Sequence, residues 1–236
     1  LSLGGEGASP ALLSAIERAT SEGILVVVSA GNTDDETTNE QRSDPNGFAL
    51  DLAQAGIGNG RVIIVGATDE NNQIVGFSHR AGVGRNSFVV APGVRIFTTD
   101  IGGGSAFASG TSFSAPHVSG ALALLIDLFP NLTADQLVDL IFSTAQDLGA
   151  AGVDVTYGHG LIDLEEALNP QGETMIATQS ANGTTQTTTS SSGAQTSSAF
   201  GDAVTSIPLL NNAVFLDRFD RAYRFDLGSK LVTNTS

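Results

Sequence analysis

Ile24-Leu25-Val26-Val27-Val28-Ser29-Ala30-Gly31-Asn32 is an unbroken apolar run that ends in small residues, a glycine and an amide. A strand with no polar alternation is one covered on both faces, the mark of a parallel sheet between helices. Val62 to Val65 and Phe88 to Val90 are two further runs of this kind, the second stopped by Pro92-Gly93. Helical patterns lie between and after them. Ser9-Pro10 supplies an N-cap and a first-turn proline ahead of Leu12, Leu13, Ile16 and Ala19 on one face, and Gly23 ends that helix. Ala115 to Leu128 is rich in small and apolar residues and is closed by Pro130. Thr133-Ala-Asp-Gln136 is a capping box, with Leu137, Leu140, Ile141 and Ala145 facing inward. A last short helix spans Leu164 to Leu168. The alternation predicts an α/β domain, a mostly parallel sheet flanked by helices, over residues 1–170.

Composition narrows the function. The chain has 236 residues, 41 % of them hydrophobic, enough for one well-buried domain with appended sequence. A net charge of −15 repels phosphate backbones, so nucleic acid is not an expected partner. The lack of cysteine excludes disulfides, thiolate zinc sites and a cysteine nucleophile. No apolar run reaches the ~18 residues of a membrane helix. The chain starts at Leu1 without a signal segment, and is read as a fragment of a longer protein. Thr178 to Ala199 is almost wholly Ser, Thr, Gln, Gly and Ala, a composition that cannot bury a core. Residues 171–199 are therefore expected to be a disordered linker, and 200–236, where apolar and aromatic residues return, a short C-terminal junction segment.

The segment with the most chemistry is Gly110-Thr-Ser-Phe-Ser-Ala-Pro-His-Val-Ser-Gly120. A serine where a glycine-containing turn enters a helix has an exposed hydroxyl and a backbone N–H at the positive end of the helix dipole. Both assist an oxyanion forming beside it. Position alone leaves two readings of Ser112 open, a nucleophile or an ordinary helix N-cap.

This segment resembles the nucleophile motif of the subtilisin-like serine peptidases, with Ser112 matching the nucleophile. Further segments resemble that family in the right order. Ser2-Leu3-Gly4-Gly5 is similar to the strand lining the substrate cleft, and Val27-Val28-Ser29-Ala30-Gly31-Asn32 to the strand and turn bearing the oxyanion-hole asparagine, here Asn32. Val65-Gly66-Ala67, Phe77-Ser78, Ala91-Pro92-Gly93 and Tyr157-Gly158-His159-Gly160-Leu161-Ile162-Asp163 resemble the following sheet, loops and closing segment. The resemblance implies catalysis by Ser112 and Asn32, and peptide binding along Ser2, Leu3, Gly4 and Gly5 and at Ala30 and Gly31. The glycines would let two backbones approach as an extended substrate adds to the strand edge.

A serine nucleophile needs a base, normally a His held by an Asp. The three histidines are His79, His117 and His159. None matches the catalytic one, because the family order is Asp, His, Ser and the first two precede the part matched here. The chain alone is expected to have negligible peptidase activity. The competing reading is an inactive subtilase-like passenger that binds a partner, and the two differ in whether an upstream Asp and His exist. No Gly-x-Ser-x-Gly elbow of an α/β-hydrolase is present.

No cofactor is expected. Thr33 to Pro45 carries Asp34, Asp35, Glu36, Glu40 and Asp44, oxygen ligands of the kind Ca²⁺ takes, although a solvated acidic loop is the better explanation of them. The family's short loop in this region forms a wall of the specificity pocket, and this sequence departs from it, leaving side-chain preference open. Phe200-Gly201-Asp202-Ala203 and Ala213 to Leu227 resemble the segment joining peptidase and later regions in autotransporter subtilases of Gram-negative bacteria. That likeness implies export to the cell surface or medium, with an outer-membrane β-barrel as a linked partner.

Overall fold

The computed structural model describes residues 1–33, 42–54, 56–180, 183–188, 195–196, 213–225 and 232–233. The chain divides into two compact units, Leu1–Leu168 and Asn169–Ser236.

The first unit is the expected α/β domain. Strands β1 (Val26–Ser29), β2 (Val62–Thr68) and β3 (Phe88–Pro92) form an all-parallel sheet in the order β1-β2-β3. All four residues of β1, all seven of β2 and the first four of β3 are buried, as strands between two helical layers must be. Burying each such Val, Ile or Phe contributes roughly 1.5–3 kcal/mol, so the sheet contributes heavily to the unit's stability. The ladder continues past the assigned strands at both edges. The Leu1 amino group donates to Val27 O, and Ser29 N donates to Leu1 O at 3.1 Å, a parallel pairing on the free edge of β1. On the far side Val90 N donates to Gly160 O at 2.8 Å and Ile162 N to Val90 O at 3.1 Å, so the closing segment covers the edge of β3.

Helix α1 (Pro10–Ser21) begins as expected, with Ser9 as N-cap accepting from Leu12 N. Ile16 and Thr20 are its fully buried residues, while Leu12 and Leu13 pack at the margin of the core. A helix not foreseen, α2 (Gly47–Ala53), follows the acidic segment; Asn46 caps it, and Phe48, Ala49 and Leu52 are buried. Helix α3 runs over Thr111–Leu128, beginning four residues ahead of the expected start. That shift puts Ser112 in its first turn and Pro116 inside it. Between β3 and α3 a hairpin of β4 (Ile96–Thr99) and β5 (Ser105–Ala108), turned by Gly102-Gly103-Gly104, was also not foreseen. Helix α4 (Ala134–Thr144) carries both bonds of the predicted capping box, with Leu137, Leu140 and Ile141 buried. Thr144 takes the last inward position, because the helix ends before Ala145. Helix α5 (Leu164–Leu168) completes the unit.

The described residues of the second unit include short paired strands. Strands β6 (Met175–Ser180) and β7 (Gly183–Thr188) pair antiparallel within the Ser/Thr-rich stretch, a ladder that requires no apolar core of its own. A two-residue β8 (Gln195–Thr196) pairs with β11 (Val232–Thr233). Strands β9 (Ala213–Leu216) and β10 (Ala222–Phe225) form a hairpin beside β6. Its turn, Asp217-Arg-Phe-Asp-Arg221, holds a buried ion pair: Arg221 Nε and Nη2 donate to Asp217 Oδ2 at 2.8 and 2.6 Å. Asp217 Oδ2 also accepts from Gln171 N, and Arg221 Nη2 donates to Asn169 O, so the turn clasps the strand of chain that enters this unit. Phe200 to Ala203 lie outside the described residues.

Burial would push the Asp217 carboxyl up, but Arg221 and the N–H groups of Gln171, Arg221 and Phe219 outweigh it and hold the pKa below the ordinary value. A depressed carboxylate adds stability that is full above its unfolded pKa and is lost as pH falls through the folded one. Asp217→Asn keeps the shape and leaves Arg221 buried without a counter-charge. It is expected to destabilise the turn by about 3–5 kcal/mol at neutral pH. Faster amide hydrogen exchange at Phe219 and Arg221 checks this.

Candidate active site

Asn32 follows the last buried residues of the β1 ladder at its C-terminal end, where open α/β sheets place their sites. Gly31 turns the chain there with φ +106°, a region that L side chains rarely enter. The turn is held from the other side: His79 N donates to Gly31 O at 3.1 Å and Thr33 N to Phe77 O at 2.8 Å. Buried Ser78 locks that neighbour, accepting from Ala67 N and donating to His79 O.

The Asn32 side chain reaches across to the start of α3. Its Oδ1 accepts from both Thr111 N and Thr111 Oγ1, each at 2.9 Å. Two donors on one oxygen define which end of the carboxamide is which, and the other end, Nδ2, points to the Gly110 turn. A Cβ placed on Gly110, whose φ is +154°, would lie 3.2 Å from that nitrogen. Nδ2 makes no hydrogen bond among the described residues. Neither does Ser112 N, one of the orphan amides of the first turn of α3. The two free donors lie near one another, 3.2 and 3.8 Å from the point a Gly110 Cβ would occupy, in the turn that leads to the partly exposed Ser112.

Pro116 has a second consequence. Lacking an N–H, it leaves the carbonyl four residues back, Ser112 O, without its helical partner. Ser2 Oγ fills the gap, donating to Ser112 O at 2.9 Å. The Ser2–Gly5 segment is thus tied to the serine it is expected to serve, and Ser29 Oγ anchors it further by donating to Leu3 O.

None of the histidines bonds Ser112 among the described residues. His79 Nδ1 lies 2.6 Å from Asp44 O, and His117 Nδ1 lies 2.8 Å from Phe113 O. His159 stacks on Phe142 at 4.1 Å, its Nε2 3.2 Å from Asn86 O. Burial lowers the His159 pKa, against the opposing pull of Asn86 O and Asp139. A lowered imidazole adds stability that is present above its unfolded pKa of 6.5 and lost as pH falls below it. His159→Gln is expected to flatten the fall in thermal midpoint between pH 7.5 and 5, which parallel melting curves would read. Asp34, Asp35, Glu36 and Glu40 lie outside the described residues. Asp44 Oδ1 is engaged by Val83 N, and no cluster of metal-ligating side chains occurs among the described residues.

Comparison with known proteins gives the family of the first unit. The Subtilase family, Peptidase_S8, matches residues 1–160. Subtilisin DY of Bacillus licheniformis is 36 % identical over 167 residues, covering 71 % of this chain and 55 % of that protein. An extracellular serine protease of Serratia marcescens is 35 % identical over 189 residues, covering 70 % of this chain and 17 % of that protein. The crystal structure of MycP1 from Mycobacterium smegmatis superposes with a TM-score of 0.52 at 31 % identity, over 67 % of this chain and 45 % of that one. The fold and the matched segments define a subtilisin-like α/β domain. The chain belongs to the subtilase family, and spans about half or less of the length of these relatives.

Proposed function

We propose that the protein is a serine endopeptidase in which Ser112 is the nucleophile and Asn32 an oxyanion donor. The observation that carries this reading is the clamped Asn32 carboxamide, whose Oδ1 is occupied by Thr111 and whose Nδ2 is left free beside the Gly110–Ser112 turn. A peptide extends along Ser2, Leu3, Gly4 and Gly5 and past Ala30 and Gly31, with its scissile carbonyl at Ser112. Ser112 Oγ bonds to the carbonyl carbon as its proton passes to a histidine base, and the carbonyl oxygen becomes an anion held by Asn32 Nδ2 and Ser112 N. Collapse breaks the C–N bond and the amine leaves with that proton; water then repeats the steps and releases the acid. The histidine and its aspartate belong to the part of the family fold that precedes Leu1.

The Serratia relative is extracellular by name, and the absence of cysteine is compatible with export. Secretion or surface display from a Gram-negative cell, with the Ala213–Leu227 region leading to an outer-membrane β-barrel, is the proposed setting. A fluorophosphonate probe on the full-length protein tests the enzyme reading. Covalent labelling is expected, and a protein that neither labels nor cleaves casein would instead be a binding module.

A further inference from the structure

We infer that helix α2 holds the substrate strand in place, with Gly47 and Asp51 as positioning residues that fix Gly4-Gly5-Glu6 for pairing with an extended peptide. The inference rests on the peptidase reading above. It adds residues that govern the binding of a long substrate without touching it.

Every second carbonyl of the strand is held by the protein. Leu1 O accepts from Ser29 N at 3.1 Å, Leu3 O from Ser29 Oγ at 3.0 Å, and Gly5 O from Phe48 N at 3.0 Å. Successive carbonyls of an extended chain point to opposite sides, so Ser2 and Gly4 present theirs away from these partners, where a peptide can pair. The first two bonds come from β1. The third comes from the first turn of α2, whose amides have no helical carbonyl to take them. Ser2 ties one end of the strand to Ser112, and α2 holds the other end. This helix lies in the segment where the sequence departs from the family's short loop.

Two residues make the fit close. A Cβ on Gly47 would fall 1.9 Å from Glu6 O and 2.8 Å from Glu6 C, backbone atoms that cannot rotate out of the way. Any side chain there drives helix and strand apart. One turn further on, Asp51 Oδ2 accepts from Ala8 N at 2.9 Å, which ties the chain leaving the strand to the same helix. The consequence is selective. A peptide that pairs with Gly4 needs the strand already in register, and a misplacement of about 1 Å costs up to about 10²-fold in rate. A small acyl ester meets Ser112 and Asn32 without using the strand.

The test compares kcat/KM of the full-length protein for a peptide extending several residues ahead of the scissile bond and for p-nitrophenyl acetate. Gly47→Ala is expected to lower the peptide value by about tenfold or more and to leave the ester value within about twofold. Asp51→Ala is expected to act in the same direction. Asp51→Asn keeps an oxygen for Ala8 N and is expected to restore the parental ratio. Because the readout is a ratio of two substrates, it does not depend on the fraction of folded enzyme. Equal losses on both substrates, or no loss on the peptide, overturn the inference, and cleavage by the parent leaves the peptidase reading standing. A parent that does not cleave the peptide removes both.

Discussion

Ser112→Ala in the full-length protein is expected to lower kcat by about 10⁶, the size known for the nucleophile of subtilisin itself and taken over from that relative. The reason is local. Of the three hydroxyls in the first turn of α3, those of Thr111 and Ser114 are fully buried, so alanine at Ser112 removes the one accessible to a substrate carbonyl. The fold should survive, because Ser112 is half-exposed and its structural contact, the bond from Ser2 Oγ, goes to the backbone carbonyl that alanine retains. Fluorophosphonate labelling should vanish while the far-UV circular dichroism and thermal midpoint stay as in the parent. Labelling that persists would place the nucleophile elsewhere.

The second large effect concerns Asn32, for which two separable tasks are proposed. Oδ1 positions α3 through Thr111, and Nδ2 is free to meet the oxyanion. Asn32→Ala removes both. Asn32→Asp retains an acceptor for Thr111 N and Oγ1 but replaces the donor by a negative charge. Loss of one oxyanion donor costs about 10²–10³ in kcat, a magnitude measured in subtilisin. Asn32→Asp is expected to lose at least this much, with KM nearly unchanged, because the interaction is made chiefly in the transition state. If Asn32→Asp keeps parental kcat and Asn32→Ala does not, the residue is a positioning group for α3 only.

Much of this architecture was legible from residue patterns. The apolar runs at Val26, Val62 and Phe88 became the three parallel strands, and the caps at Ser9 and Thr133 formed with their side-chain bonds. Helix α2 was missed because its seven residues follow a run of acids, and the Asn46 cap with Phe48, Ala49 and Leu52 is a short signal. The early start of α3 was missed because Thr111 to Ser114 are poor helix formers in isolation. Tertiary bonds decide the matter: Asn32 caps the Thr111 amide from another element. The Ser/Thr-rich stretch was legible as a linker from its lack of core-forming residues, a property that does not exclude backbone pairing such as that of β6 with β7. The Asp217–Arg221 clasp was invisible for a different reason. Charged residues four apart read as a solvated pair, and only the folded turn reveals that both are buried.

Amino-acid order by itself determined the parallel α/β class and marked Ser112 and Asn32 as the candidate nucleophile and oxyanion donor. Apolar periodicity and short motifs are local properties, and hydrophobic burial acts on them wherever the chain folds. Which atoms of those residues are free was decided by tertiary structure. Thr111 consumes one end of the Asn32 amide, Ser2 supplies the bond Pro116 cannot, and Ala49 holds the Asn46 oxygen while its nitrogen packs against Gly4 and Gly31. Each is a hydrogen bond between residues whose pairing follows from where the elements pack, so a donor left over is a property of the fold.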